Sequence, residues 1–381
     1  MHHRTRWKVA MPITTRFKAR ARVRRVVTGV IAAVVAVLPV LPADATTPHR
    51  ADLRVMTQNL YLGSSLVPAL TATSPAAFVA AVAQIYATVQ YTDFPARAEA
   101  IADEVEANNP DLIGLQEVTQ WTTTGPSSPP GYDFLAILRA ALDARGLHYS
   151  VAATADNASI GPVPLALPAC LRPGPTITCT VQLKDRDVIL VNDDTHRLEW
   201  SNPRSGRYTS QAVAASPVGP LSFDRGWVSI EARFHRHHFR FTTTHLETQN
   251  FPATQQAQAA EFLAGPGRGG TIIAVGDFNS ASDGSTTTSY QQLTAPGKFR
   301  DAWKERKSGP GNSCCQSSDT PPLAPGALNN PVSTLRTRID LILSRGSARA
   351  DRATLVGDQP FRDVPPLWPS DHAGVIAEFR V

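Results

Sequence analysis

The sequence predicts an α/β protein whose simplest architecture is an α/β sandwich. Its 381 residues are 42% hydrophobic and 18% charged, a balance typical of a chain that folds around an apolar core rather than a disordered one. Short segments rich in β-branched residues and bounded by turn residues indicate strands. Helical patterns lie among these strands without the strict alternation of a doubly wound parallel sheet, which favours the sandwich.

The first 45 residues are expected to lie outside this fold. They carry nine basic residues and one acid, so their net charge is +8, and the rest of the chain is at −3 because the total is +5. An uncharged apolar run at 26–41 is followed by a small-x-small pattern at 43–45. We therefore predict a secretory signal peptide at 1–45 and a secreted domain at 46–381. A retained anchor is less favoured because a spanning helix needs about 20 apolar residues, and the export route, general or twin-arginine, stays open.

The elements of the domain follow from its apolar patterning. Strands are predicted at 53–56, 187–191, 227–234, 239–244, 271–275 and 339–343. Helices are predicted at 95–108, 134–144 and 255–263, where apolar residues fall at helical spacing. Two segments rich in Pro, Gly, Ser and Thr, 121–131 and 308–330, are expected to be surface loops. No internal repeat divides the chain, so 46–381 is expected to form one domain.

Four cysteines are too few for a disulfide-dense scaffold and lack the spacing of a zinc module. Cys170 and Cys179 flank a proline-rich loop, and in an oxidising compartment we expect them to form a disulfide. Cys314 and Cys315 are adjacent, and a bond between neighbours closes a small strained ring. Cross-pairing and free thiols therefore stay open for these two.

Six polar clusters lie at or near the ends of strand-like runs, where a rigid scaffold aims side chains into a cleft. In chain order they are Asn59 in VMTQNLYLG, Glu117 in PDLIGLQEV, His245 in TTTHLE, Asp277 and Asn279 in IIAVGDFNS, Asp340 in RIDLIL, and Asp371 and His372 in PSDHAGV. A single residue of this kind is usually a turn or cap residue. Asp277 and Asn279, however, are two residues apart, so both face one side of an extended chain. The set therefore indicates one site.

The chemistry of this set favours a hard divalent cation that holds a phosphate. Carboxylate and amide oxygens are the ligands that Mg²⁺ prefers, and Mn²⁺ or Ca²⁺ would also suit them, whereas zinc fits less well. No G-x-S-x-G motif supplies a nucleophile for a serine hydrolase. The histidines of FHRHHF at 234–239 lie between two predicted strands and are expected to decorate a solvated turn rather than bind metal.

The ordered motifs resemble the endonuclease/exonuclease/phosphatase superfamily over roughly residues 53 to 381. The segments NLYLG, TDFPARAEAIADE, DRGWVSIEARF and SCCQ resemble a secreted branch of it. The resemblance implies a four-layer α/β sandwich, two packed mixed β-sheets flanked by helices, with a metal-dependent phosphoester hydrolase site between the sheet edges. One acid that some nucleases of the family carry is replaced here by Tyr61, which weakens a DNA-repair interpretation.

The resemblance also implies roles for the individual residues. Asn59 and Glu117 would bind the metal, with Asp371 as a contributor. Asp277 would align or deprotonate the attacking water, Asn279 would contact the phosphate, and His245 would donate to a non-bridging phosphate oxygen. His372, oriented by Asp340, would transfer a proton and donate in the transition state. Arg225 is either a phosphate contact or a structural ion pair with Asp224 or another acid.

We therefore expect a secreted, metal-dependent phosphodiesterase that attacks phosphate with an in-line water. Nucleic acid, a phospholipid head group and a small phosphate ester are all possible substrates, as in a nuclease, a sphingomyelinase-like phospholipase C or an inositol-phosphate phosphatase. A nuclease is disfavoured because the domain is at −3 and has no long basic run. A sphingomyelinase-like phospholipase C would need an exposed apolar or aromatic loop for membrane contact, for which Tyr61, Trp121 and Trp368 are weak candidates. The alternative class is a catalytically silent binding module on the same fold. We expect a monomer without an obligate protein partner.

Overall fold

The computed structural model describes residues 52–172, 176–306, 309–317 and 325–380. The predicted signal peptide at 1–45 and part of the predicted loop at 308–330 lie outside these residues. No helix among the described residues is long and apolar enough to cross a bilayer.

The described α-helices are α1 Val67–Leu70, α2 Pro75–Tyr91, α3 Phe94–Asn108, α4 Phe134–Asp143, α5 Pro252–Ala264, α6 Ser289–Leu293 and α7 Ala302–Arg306. The three predicted helices coincide with α3, α4 and α5. Helix α3 begins at the cap Asp93, whose carboxylate accepts from the Ala96 amide, and ends at the left-handed Asn109 before a proline. Helix α2, capped by Ser74 and started by Pro75, was not predicted.

The described strands are β1 Leu53–Asn59, β2 Leu112–Gln116, β3 Gln120–Thr124, β4 Tyr132–Asp133, β5 Tyr149–Pro164, β6 Thr180–Asn192, β7 Leu198–Arg207, β8 Val213–Ala214, β9 Leu221–Ser222, β10 Gly226–Phe234, β11 His237–His245, β12 Ile272–Asp277, β13 Arg300–Asp301, β14 Asp340–Arg345, β15 Arg349–Val356, β16 Arg362–Asp363, β17 Pro366–Leu367 and β18 Gly374–Arg380. All six predicted strands overlap β1, β6, β10, β11, β12 and β14. Of the histidines of FHRHHF, His235 lies in the β10–β11 turn as expected, whereas His237 and His238 are exposed residues at the start of β11.

The predicted loop at 121–131 is wrong at its start. Trp121 to Thr124 belong to strand β3, which pairs with β6 through Trp121–Leu183 and Thr123–Val181. The Trp121 side chain is buried, and threonine and tryptophan both favour the half-buried pleated surface of a sheet. The turn-forming Gly, Pro and Ser residues begin only after this strand.

The strands form two large mixed sheets. The first sheet has the order β15-β18-β1-β2-β6-β3-β4, with β5 paired to β6, and the second has the order β13-β14-β12-β11-β10-β7. Between them lies an apolar core to which Val55 and Ile189 contribute from the first sheet and Phe241 and Val275 from the second. Gly114 of β2 marks a close approach, because a Cβ there would collide with the Val275 side chain. The predicted α/β sandwich is confirmed.

Helices cover the two outer faces of the sandwich. On the first sheet, Met56 and Leu190 pack with residues of α2, α3 and α4 such as Ile85 and Ile101. On the second sheet, Leu341 packs in a cluster with residues of α5 and α6. The order of layers is therefore helix, sheet, sheet, helix, as the family resemblance implied.

The structure pairs all four cysteines. Cys170 and Cys179 form the expected disulfide, with Cα atoms 5.3 Å apart. Cys314 and Cys315 are bonded to each other. Of the alternatives that the sequence left open, the structure therefore has the bond between neighbours.

Candidate active site

Four of the predicted site residues come from one edge of the first sheet. Asn59 is the last residue of β1, and Glu117 directly follows β2. Because β1 and β2 are parallel, their carboxyl ends lie at the same edge. Asp371 and His372 precede β18, which runs antiparallel to β1, so they enter the sheet at that edge as well.

The other four residues come from the corresponding edge of the second sheet. His245 and Asp277 end the parallel strands β11 and β12 and are register partners. Asp340 begins β14 and lies opposite Asp277 in an antiparallel pair. Asn279 lies two residues after Asp277, and its Nδ2 lies 3.0 Å from His245 Nε2.

Side-chain contacts join the two edges into one cleft. Asn59 Nδ2 donates to Asp277 Oδ2 at 3.2 Å, and His372 Nδ1 lies 2.8 Å from Asp340 Oδ2. His372 Nε2 is 3.8 Å from both Asp277 Oδ2 and Asp371 Oδ1. The structure thus brings all eight predicted residues together, with the orientation of His372 by Asp340 that the resemblance implied. Their individual roles stay predictions.

Three turns with left-handed backbone orient the carboxylates and the amide. Tyr61, Glu117 and Asn279 have φ values of 59°, 54° and 48°, which residues other than glycine seldom adopt. The amides of Tyr61 and Asn279 reach back to Asn59 Oδ1 and Asp277 Oδ1, each at 2.9 Å. Left-handed non-glycine residues cost free energy and concentrate at functional sites, so their clustering here supports a preorganised site.

Burial controls the acidity of the cleft. It raises the pKa of Glu117, Asp277 and Asp371 to about 7 each, with the neighbouring acids Asp185, Asp340 and Glu117, respectively, adding to the effect. Burial removes water from the ionised carboxylate, and a nearby negative charge disfavours it further. An added cation would relieve both penalties.

The donors present fit a hard divalent cation. Glu117 and Asp371 offer carboxylate oxygens and Asn59 an amide oxygen, which is the chemistry that magnesium selects. A second group, Asp277, Asp340 and His372, places ligand atoms within 4.8 Å of one another. Asp340 Oδ2 and His372 Nδ1 already bond each other, and Glu117, Asp371 and Asn59 stay the predicted metal ligands.

The two histidines face opposite kinds of partner. Desolvation favours the neutral ring of His372, yet the carboxylates of Asp340, Asp371 and Asp277 raise its pKa well above the usual value. Arg225 Nη1 lies 2.9 Å from His245 Nδ1. Burial and the charges of Arg225 and His372 lower the pKa of His245 well below the usual value.

A guanidinium can only donate hydrogen bonds, so His245 Nδ1 must accept and its proton lies on Nε2. Asn279 Nδ2, beside that nitrogen, is also a donor and is held by the Leu246 carbonyl at 3.0 Å. Two adjacent donors suit a shared acceptor such as a phosphate oxygen. Arg225 reaches the nearer acid Glu247, with 3.8 Å between Nε and Oε2. Asp224 instead pairs with Arg207 at 2.7 Å, so of the acids left open by the sequence the partner of Arg225 is Glu247 rather than Asp224.

The comparisons with known proteins agree with this geometry. The model of the Endonuclease/Exonuclease/phosphatase family matches residues 56–372. The chain belongs to this family. Its enzymes are typically phosphoester hydrolases and generally depend on a divalent metal. A search of curated proteins found no significant match.

Solved structures of this family resemble the chain at low identity. A family member from Bacteroides thetaiotaomicron has 16% identity and a TM-score of 0.53, covering 86% of this chain and 94% of its own. The mannosyl-6-phosphatase of B. thetaiotaomicron has 15% identity and a TM-score of 0.53, covering 86% and 100%. D. rerio TDP2 complexed with a single-strand DNA product has 14% identity and a TM-score of 0.50, covering 87% and 99%. At these identities the likeness concerns the fold.

This family member carries a buried polar group that sequence analysis missed. Asp185 and Asp187 lie two residues apart on one face of β6. Asn157 of β5 donates to Asp185 Oδ2 at 3.3 Å. Burial raises the pKa of Asp187 well above its usual value, while the charge of Arg225 opposes the shift. The signal was present in KDRDVILV, where two acids alternate into an apolar strand.

Arg97 of α3 is a second missed residue. Its buried guanidinium donates to the carbonyls of Leu60 at 2.6 Å, Pro369 at 3.0 Å and Tyr61 at 3.3 Å. It therefore connects the turn after Asn59 to the segment that precedes Asp371, and so positions two of the predicted metal ligands.

The three aromatic residues considered for a membrane contact are buried instead. Tyr61, Trp121 and Trp368 are 5%, 5% and 1% exposed. The Tyr61 hydroxyl donates to the Gly326 carbonyl, and the indole of Trp368 donates to the Asn330 carbonyl. The suggestion that these residues form an exposed membrane contact is therefore wrong, because each ring packs into the protein.

Proposed function

We propose that this chain is a divalent-metal-dependent phosphodiesterase that cleaves its substrate by in-line attack of water. The observation that carries the proposal is the convergence of four carboxylates and two imidazoles, from five strand ends of two sheets, in one buried cleft. Phosphoryl transfer needs an oriented water, neutralised equatorial oxygens and a proton for the leaving oxygen. The cleft offers a group for each need.

Glu117, Asp371 and Asn59 would hold the cation, and Mg²⁺ fits their oxygen atoms best. When bound, the cation supplies charge neutralisation at the phosphate. His245 Nε2 and Asn279 Nδ2 are two donors for a non-bridging oxygen. Their positions are held by Arg225 and by the Leu246 carbonyl.

Asp277 is the proposed base for the attacking water. Its two oxygens accept from the Asn279 amide and the Asn59 side chain, which fixes the carboxylate plane. Its pKa of about 7 suits proton exchange near neutral pH. His372, bonded through Nδ1 to Asp340, presents Nε2 to the cleft as the donor to the leaving oxygen.

The test is hydrolysis of bis-p-nitrophenyl phosphate and p-nitrophenyl phosphate with Mg²⁺, Mn²⁺, Ca²⁺ or EDTA. We expect metal-dependent cleavage of the diester and a loss of about 1,000-fold or more in kcat for His372→Ala. In calorimetry, His372→Ala should still bind the cation, whereas Glu117→Gln should bind it weakly. Asp351→Asn, which changes an acid bound to Arg306 and Arg380 outside the cleft, is the matched control. A folded protein that cleaves neither ester and binds no divalent cation would support the silent binding module instead.

We also propose that the enzyme is secreted after removal of residues 1–45. The support is the basic stretch, the apolar run and the small residues at 43–45. Expression of the full chain in an exporting host should give an extracellular protein whose amino-terminal sequence begins at or near Thr46. Retention of the intact terminus in the membrane fraction would indicate an anchor.

A further inference from the structure

A second cavity, lined by apolar side chains, lies next to the cleft. Its floor is the face shared by β3, β6 and β5, where Trp121 and Ile160 flank Leu183 in register. Its other walls come from α1, α2 and the segment that contains Leu221 and Phe223. The cavity volume is about 50 Å³. Nothing in this lining would hold a polar ligand.

Two chain segments contribute residues both to the lining of the cavity and to the surroundings of the catalytic cleft. Leu183 lies two residues before Asp185 on β6, so both side chains are on one face of the strand. Phe223 likewise lies two residues before Arg225, which contacts His245. On each segment an apolar residue of the cavity thus lies two positions from a charged residue near the cleft.

A hydrogen-bonded link joins the same cavity to a metal ligand. The Trp121 indole donates to the Leu62 carbonyl at 2.9 Å, and the Leu62 amide donates to Glu117 Oε2 at 2.7 Å. A ligand group that packs against Trp121 is therefore separated from Glu117, a predicted metal ligand, by Leu62 alone. The cavity and the cleft can bind two parts of one molecule.

The mouth of the cavity is apolar and open to solvent. Ile160, Leu221 and Phe223 line it and are only partly buried. A closed core would bury these side chains, whereas an amphiphilic ligand entering from solvent needs them accessible.

We propose that this cavity receives the single aliphatic chain of a phosphoester substrate whose phosphate occupies the catalytic cleft. The inference rests on the proposed function and names its substrate class, a lipid-like phosphodiester. Nucleic acids, inositol phosphates and sugar phosphates have no chain to fill such a space. Each buried methylene contributes about 0.8 kcal/mol, so kcat/KM should rise about fourfold per methylene until the cavity is full.

The experiment uses p-nitrophenyl alkyl phosphodiesters with methyl, butyl, octyl and dodecyl groups, each below its micelle concentration, and the full-length enzyme with Mg²⁺. We expect kcat/KM to rise at least 100-fold from methyl to octyl. Ala69→Phe, which fills the cavity from α1, should flatten this series and leave the methyl ester unaffected. Val67→Phe, an exposed position on the same helix, is the matched control and should keep the series. Ile160→Phe fills the cavity from the opposite wall and guards against misfolding of α1.

A binding measurement complements the kinetics. Calorimetry of dodecylphosphocholine monomers in EDTA should give binding to the wild type and Val67→Phe, and at least tenfold weaker binding to Ala69→Phe. No cleavage of even the methyl ester would contradict the proposed function. Cleavage of the methyl ester without any chain-length dependence in the wild type would overturn the aliphatic site alone. If Ala69→Phe and Ile160→Phe both kept the chain-length dependence of the wild type, the chain would bind outside this cavity and the proposal would be overturned.

Discussion

The surroundings of the two active-site histidines differ although both rings are buried at the ends of facing sheets. His372 lies among Asp340, Asp371 and Asp277, and these carboxylates raise its pKa. His245 lies against the Arg225 guanidinium, which together with burial lowers its pKa. Two histidines in one cleft thus favour different protonation states, His372 the charged ring and His245 the neutral ring.

The difference shows how neighbours assign chemistry to a histidine. A carboxylate on Nδ1 holds a proton there and makes the ring more basic, which suits His372 to carry a proton to the leaving oxygen. A guanidinium on Nδ1 leaves the only ring proton on Nε2. His245 is then a fixed neutral donor rather than an acid, and the two residues are not interchangeable.

The largest expected effect comes from breaking the carboxylate side of the comparison. Asp340→Asn should lower kcat about 100-fold, because the amide no longer supports a charged His372. KM and cation affinity should change less than threefold, since neither ligand nor phosphate donor is touched. Initial-rate assays measure kcat and KM, and calorimetry measures the cation affinity, with Asp351→Asn as control. An unchanged kcat in Asp340→Asn would remove the orienting role.

A smaller effect is expected on the guanidinium side. Arg225→Met should lower kcat about tenfold, less than the ~10²–10³ expected from removing a donor outright, because the His245 proton can then move to Nδ1. The deficit should be larger at pH 8 than at pH 6, since loss of the guanidinium charge raises the pKa of His245 toward its usual value, against burial and the charge of His372, and the protonated ring at low pH carries protons on both nitrogens. Arg207→Met, which breaks the exposed pair with Asp224, is the control.

Nitrogen chemical shifts of His245 provide a readout independent of turnover. In the wild type Nε2 should be protonated and Nδ1 unprotonated from pH 6 to pH 8. In Arg225→Met the shifts should report exchanging tautomers, and Arg225→Lys should restore part of the wild-type pattern. A single Nδ1–H tautomer in the wild type would contradict the assignment.

The sequence predicted the site better than it predicted what supports the site. Asn59, Glu117, His245 and Asp277 each follow an apolar strand, and the local alternation of side chains suffices to place them at a sheet edge. Whether Arg225 contacts His245 or Asp224 depends on the pairing of β10 with β11, a long-range property. The aliphatic cavity needs α1, α2, β3, β5 and β6 together, so no single segment signals it.

The smallest expected effect concerns the cleft as a whole and separates its carboxylates from its histidines. In the metal-free protein Glu117, Asp277 and Asp371 have pKa values raised to about 7, against about 4 in the unfolded chain. The folded state therefore binds more protons between these values, and its stability falls as pH rises from about 4 through 7. The raised pKa of His372 acts in the same direction above pH 6.5, where its stabilising charge is lost as pH passes the folded value. The lowered pKa of His245 opposes this only below pH 6.5.

We expect the melting temperature in EDTA to be about 5 °C higher at pH 6.5 than at pH 8. Mg²⁺ should raise it more at pH 8, where the carboxylates are ionised and free to bind the cation, than at pH 6.5. Glu117→Gln removes one of the three acids whose pKa is raised to about 7. It should reduce both the pH dependence of the melting temperature in EDTA and the pH dependence of the Mg²⁺ effect, whereas Asp351→Asn should leave both unchanged. A melting temperature in EDTA that rises from pH 6.5 to pH 8 would mean that the carboxylates are ionised in the folded protein without a cation, held by Arg225, Arg97 and His372 alone.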